Sequence, residues 1–143
     1  MRTDDIARLL LGTFVRPADE TGTGRPRVEA VYGYLVRHNR GLVLLDTGLG
    51  EGDPETETWY RPQRIPLQRA LDSRGVDLAQ IDLVVNCHLH FDHCGGNPLL
   101  VGTPVVCQRQ ELAMAQAGAY PLDHPVDHPG LPYGLRAGQR REA

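Results

Sequence analysis

Lysine is absent from this chain, and serine occurs once. All 15 basic residues are arginine, and the single serine is Ser73. Without a lysine amine no Schiff base can form, and the phosphate-gripping lysine of a P-loop is missing. Ser73 stands beside Arg74 and Gly75 at an expected helix end, so a serine nucleophile has almost no candidate. Cysteine is scarce as well: Cys87, Cys94 and Cys107. An odd number of thiols, two of them flanking a histidine cluster, does not read as a disulfide framework. A reduced, cytoplasmic protein is the expectation. No apolar run has the length to span a bilayer. The start Met1-Arg2-Thr3-Asp4-Asp5 lacks the pattern of a secretory leader, and Leu9-Leu10-Leu11 is too short for its apolar segment. The formal net charge is -3 with both signs interspersed, which leaves no electrostatic footprint for nucleic acid. Arg140-Arg141 reads as solvated tail. These absences push hydrolytic chemistry onto a metal.

What the chain does have is His88-Leu89-His90-Phe91-Asp92-His93-Cys94, directly after the apolar run Ile81-Asp82-Leu83-Val84-Val85-Asn86. Three of the six histidines and a carboxylate fall within six positions. Imidazole and carboxylate together suit zinc and similar first-row cations. In extended chain, His88 and His90 point the same way, because side chains alternate with period 2. Asp92 and His93 are adjacent and diverge once the chain turns. The spacing allows two ligand pairs, His88 with His90 and Asp92 with His93, aimed at two neighbouring positions. A two-metal site with a hydroxide held between the ions is the natural use.

His-x-His-x-Asp-His resembles the signature of the metallo-β-lactamase superfold. Within it, Asn86-Cys87-His88-Leu89-His90-Phe91-Asp92-His93-Cys94-Gly95-Gly96-Asn97 looks most like the N-acyl homoserine lactonase group. Tyr34 to His38, Gly41 to Gly48 and Gly75 to Val85 are similar to that group too. The resemblance runs from about residue 28 to about 132. It implies an α/β fold: the N-terminal half of a four-layer αββα sandwich built from two similar halves. It also implies two divalent metals, zinc first, held by His88, His90, Asp92 and His93. The implied activity opens a lactone ring with a metal-bound hydroxide, Asp92 passing a proton to the leaving alkoxide. Asp46 would lie beneath the metal loop and hold its backbone or ligands. Cys87 stands where relatives usually carry Ser or Thr. It reads as a small packing residue or as a thiol that perturbs the site.

The resemblance further implies a third metal-binding His, a bridging Asp and a last His from the second half, and none is recognisable. His124 and His128, in a Pro-rich segment, are given no ligand role. At 143 residues, the chain is expected to be a single truncated domain with an irregular tail over 133–143. Three functions stay open: a lactonase; a thioesterase or other ester hydrolase of the same fold; and an inactive fragment or pseudoenzyme binding metal weakly. The expected partner is a small ester or lactone, with no nucleic acid and no membrane. No substrate-binding residue is assigned. Self-association through an uncovered sheet face is expected, since half a sandwich leaves apolar surface bare.

Local patterns complete the expectation. Residues 1–12 read as a helical or frayed lead, with Ile6, Leu9 and Leu10 on one face. Residues 17–27 read as a loop. Val28 to Val36 is a strand, His38-Asn39-Arg40-Gly41 a hairpin turn, and Leu42 to Leu45 a strand buried on both faces. Glu51 to Arg64 is an acidic loop whose Trp59-Tyr60 pair either meets an apolar substrate tail or packs as a flap. Pro66 to Ser73 is a helix stopped at Gly75. Asp77 and Gln80 form a capping box, and Ile81 to Cys87 is the strand that delivers the motif. Gly95-Gly96 lets the backbone turn away from the metal position. Val105 to Gln108 is a strand and Arg109 to Ala117 a helix.

Overall fold

A computed structural model describes residues 2–50 and 54–116. Residues 117–143, with His124, His128 and the tail expected over 133–143, lie outside the described residues. The sheet has six strands in the order β4-β1-β2-β3-β5-β6. They are β1 (Ile6–Arg16), β2 (Arg27–His38), β3 (Gly41–Leu45), β4 (Gln63–Arg64), β5 (Ile81–Val85) and β6 (Val105–Val106). The first three form an antiparallel meander, while β5 pairs parallel with both β3 and β6. A parallel return needs a crossover. Between β3 and β5 the chain forms helix α1 (Pro54–Tyr60), β4 and helix α2 (Leu67–Asp72). Two further helices follow, α3 (Phe91–Cys94) and α4 (Arg109–Gln116). No helix among the described residues is long and apolar enough to cross a membrane.

The lead is not a helix. Beyond one short 3-10 turn (Thr3–Asp5), the chain enters β1 and pairs with β2 from Ile6↔Val36 to Arg16↔Arg27. Leu9 and Leu11 face the core at 2% and 1% exposure. Gly12, at φ 142, then takes up a bulge that shifts the register, so Phe14 rather than Thr13 turns inward. The segment Glu51 to Arg64 is likewise no plain loop: its described part contains α1 and β4. Tyr60 is buried, and the indole N–H of Trp59 donates to Glu20 Oε1 at 2.9 Å, so the pair is packed.

The remaining elements follow the local patterns. The two-residue turn Asn39-Arg40 joins β2 to β3, with His38 paired to Gly41. Leu67, Ala70 and Leu71 of α2 are buried at helical spacing. They close the core against Leu9, Leu11, Leu35, Leu44 and Val84. Each buried leucine or valine there contributes roughly 1.5–3 kcal/mol by leaving water. Asp77 accepts from the Ala79 N–H while Gln80 accepts from the Asp77 N–H, which starts the 3-10 turn ahead of β5. Strand β3 is buried fully only at Leu44, its other residues being half-buried.

Candidate metal centre

Strand β5 ends at Val85, and the motif begins in the irregular stretch that follows it. Leu89 separates His88 from His90 and turns the opposite way. It is 1% exposed and packs with Cys94, Cys107, Leu112 and Ala115 in a second small core. Alternation with period 2 thus sends Leu89 down and both histidines up. His90 is the N-cap residue of α3, and Asp92 and His93 follow in its first turn.

A buried polar scaffold holds this loop against the end of β3. Thr47, Asn86 and Asn97 are each 2% exposed or less. The Asn97 amide donates to Asn86 Oδ1 at 2.7 Å, and the Asn86 amide donates to the His93 carbonyl at 3.1 Å. The Thr47 hydroxyl lies 2.8 Å from Asn97 Oδ1 and accepts from the Gly96 N–H at 3.1 Å. The Thr47 N–H donates to the His93 carbonyl at 2.7 Å. Satisfied buried networks of this kind fix one loop geometry. Gly95 and Gly96 sit in ordinary right-handed helical conformation, so they are not there to turn the chain. They are there because a Cβ on Gly95 would overlap the Gly50 backbone, and one on Gly96 the Thr47 carbonyl.

His88 Nε2 and His90 Nδ1 lie 2.9 Å apart. His93 Nε2 lies 3.4 Å from Asp92 Oδ2, so these adjacent side chains converge rather than diverge. The His88 ring sits between its neighbours, with centroids 4.5 Å from His90 and 3.9 Å from His93. Asp46 reaches the site from the end of β3 with φ 57, a left-handed conformation that Asp tolerates better than most residues. Its Oδ1 accepts from the Cys87 N–H at 2.9 Å, and its Oδ2 lies 2.9 Å from His93 Nδ1. The Cys87 sulfur stands 3.0 Å from His88 Nδ1 and 3.1 Å from His93 Nδ1. Cys87, His88 and His93 also offer ligand atoms all within 4.8 Å of one another.

Burial works against a charge on His93, but hydrogen bonds to Asp46 and Asp92 outweigh it and push the imidazole up to about 9. Burial and then the neighbouring His93 and His90 push His88 down, which favours the neutral ring a metal requires. Asp92 is held below the ordinary carboxylate range: burial opposes this, and the contact with His93 prevails. Asp46 is lowered in the same way, against its own burial, by His93 and the Cys87 N–H. Withdrawal from water and the Asp46 carboxylate push the Cys87 thiol up to about 12.

The four motif side chains open onto a cavity of about 410 Å³. Its other walls are the rings of Phe14, Tyr60 and Phe91, with Arg16, Glu29 and Ala30. Phe91 stacks on Tyr60 at 4.9 Å, and Phe14 meets both rings edge-on at 5.5–5.6 Å. Arg16 donates to both oxygens of Glu29, at 2.9 and 3.1 Å. Sequence reasoning named Tyr60, with Trp59, as a candidate contact for an apolar substrate tail and missed Phe14 and Phe91. Phe91 lies inside the motif and Phe14 two residues past the bulge glycine, but only the folded register brings them to Tyr60. Three imidazoles and a carboxylate facing one cavity fit a divalent metal of the zinc type. Among the described residues the motif brings four candidate ligand side chains together, His88 against His90 and Asp92 against His93.

The profile of the metallo-beta-lactamase superfamily matches residues 26–128. An N-acyl homoserine lactonase from a Bacillus species is 32% identical over 98 residues, covering 60% of this chain and 39% of that protein. The N-acyl homoserine lactonase of Bacillus cereus is 34% identical over 98 residues, with the same coverage. The chain thus spans about 39% of the length of the curated relatives it matches. Among solved structures, an N-acyl homoserine lactone hydrolase with N-hexanoyl-L-homoserine at its catalytic metal centre superposes with a TM-score of 0.68 and 23% identity. That alignment covers 90% of this chain and 57% of the other. A probable metal-dependent hydrolase from Staphylococcus aureus gives a TM-score of 0.70 at 17% identity, covering 82% and 52%. The fold is shared with both solved structures, over the part of their length that this chain spans.

Proposed function

The chain belongs to the metallo-beta-lactamase superfamily, and from that premise we propose that it carries the metal-binding part of a lactonase-type hydrolase. The observation that carries this reading is the convergence of His88 with His90 and of Asp92 with His93 on one cavity. A divalent metal bound there supplies Lewis acidity and activates water near neutral pH. His88 and His90 would hold one metal and Asp92 and His93 a second, with Asp46 orienting His93. Asp92 would also carry a proton to the leaving oxygen of an opened ring. The aromatic wall of Phe14, Tyr60 and Phe91 supports a substrate with an apolar arm, and the lactonase relatives support an acylated lactone.

Two motif ligands per position is below the three or four that zinc usually takes. Turnover by these 143 residues alone is therefore expected close to background. The test is opening of N-hexanoyl homoserine lactone, followed by proton release with added zinc or cobalt. The reading expects that whatever rate is present needs the metal and disappears in Asp92→Ala. A rate unchanged by Asp92→Ala would overturn it. A thioester cleaved faster than the lactone would move the assignment to thioesterase chemistry on the same site.

A further inference from the structure

His88 presents its two ring nitrogens to different partners. Nε2 faces His90 Nδ1 at 2.9 Å, and Nδ1 faces the Cys87 sulfur at 3.0 Å. An imidazole that offers the Nε2 lone pair to a metal carries its proton on Nδ1, and that proton is normally fixed by an acceptor. For His93 the acceptor is a carboxylate, Asp46 Oδ2 at 2.9 Å. For His88, among the described residues, neither a carboxylate nor a carbonyl lies at Nδ1. The sulfur is its partner there.

The sulfur is well placed for the task. The Cys87 N–H donates to Asp46 Oδ1 at 2.9 Å, so one carboxylate fixes both the Cys87 backbone and the His93 ring. The sulfur then lies against the Nδ1 atoms of both His88 and His93, whose rings are in contact with centroids 3.9 Å apart. A thiol can accept a hydrogen bond, though weakly. Because Cys87 is exposed, water competes for the same proton, so the effect of losing the sulfur is graded rather than total.

We propose that Cys87 is a positioning residue: its sulfur accepts a hydrogen bond from His88 Nδ1–H and so holds the tautomer that aims Nε2 at the focus shared with His90. The inference rests on reading His88 as a metal ligand. In the metal-free chain the complementary arrangement has His90 Nδ1–H donating to His88 Nε2. The identity of the side chain then matters in a defined way. Serine keeps an acceptor at this position, alanine removes it, and valine removes it while keeping the bulk.

The test has two readouts. Long-range ¹⁵N–¹H NMR of the histidine rings in the metal-free protein reports the His88 tautomer. Competition with a chromophoric chelator reports zinc affinity. The wild type and Cys87→Ser are expected to show His88 protonated at Nδ1. Cys87→Ala and Cys87→Val are expected to show a mixture of tautomers. Zinc affinity is expected to fall about tenfold in Ala and Val, and to stay within about threefold in Ser. An Nδ1–H tautomer and wild-type affinity in both Ala and Val would overturn the proposal. If the wild type took up no zinc, the metal reading would fail, and the tautomer comparison would still decide the role of Cys87.

Discussion

Leu89 has no chemistry of its own, yet the two histidines beside it depend on where it goes. Buried at 1% exposure among Cys94, Cys107, Leu112 and Ala115, it pins the stretch that aims His88 and His90. Leu89→Ala is expected to cost about 2–5 kcal/mol in denaturant unfolding, the range for emptying a buried leucine site. It is also expected to weaken zinc binding, although no ligand is changed. Glu29 gives a second prediction at this scale. Its hydrogen bonds to Arg16, and then to Arg27, hold the carboxylate below its ordinary range. A lowered folded pKa stabilises above the unfolded value of about 4.5, and the benefit disappears as pH falls through the lowered value. Thermal midpoints from pH 3 to 7 should therefore show the wild type above Glu29→Gln at neutral pH and converging with it in acid. The pair is partly open to solvent, so the gap should stay under about 1 kcal/mol. Parallel curves would contradict it. The Asp46 contact with the motif loop was legible through the resemblance, which implies a carboxylate beneath that loop. The Glu20 contacts to Trp59 and Tyr60, 39 and 40 residues away, were not, because no local spacing encodes them.

At the level of elements, β1 shows how a sequence pattern misleads. Ile6, Leu9 and Leu10 satisfy a helical period, and Leu9, Leu11 and Phe14 break a strand period unless a bulge stands at Gly12. Ten register pairs with β2 settle the choice, and those pairs are invisible to a reading of twelve residues by themselves. Helix α2 went the other way: three apolar residues at helical spacing, followed by Gly75, describe an isolated helix completely. The glycines after the motif were legible as special positions, but for the wrong reason. Their requirement is close backbone approach to the segment after β3, which only the fold reveals. Gly95→Ala is accordingly expected to push the motif loop away from Gly50. Overpacking of this kind costs about 1–3 kcal/mol, and the displaced loop should lose zinc affinity. Wild-type unfolding and wild-type zinc affinity in Gly95→Ala would refute that account.

For the molecule as a whole, the outer face of the β1–β2 pair is a surface with exposed apolar side chains to account for. Ile6, Leu10, Tyr32 and Tyr34 remain 37–43% exposed there. Leu10 pairs with Tyr32, and the Arg8 guanidinium lies 4.7 Å over the Tyr32 ring. An apolar sheet surface of this composition favours association. We propose that the 143-residue chain self-associates through it. Light scattering across a concentration series should show mass rising above 15.8 kDa, and Leu10→Glu with Tyr34→Glu should return it towards the monomer. A wild type that stays monomeric throughout would refute this.

The overall architecture was legible because the motif and its flanks resemble one superfold, whose fold the described residues share. The central claim is that His88, His90, Asp92 and His93 form a divalent metal centre. Equilibrium dialysis against zinc, comparing the wild type with the His88→Ala/His90→Ala double variant, tests it most directly. The account predicts weakly held zinc in the wild type, fewer than two ions per chain, and a clear loss in the double variant. Equal zinc in the two proteins would contradict it.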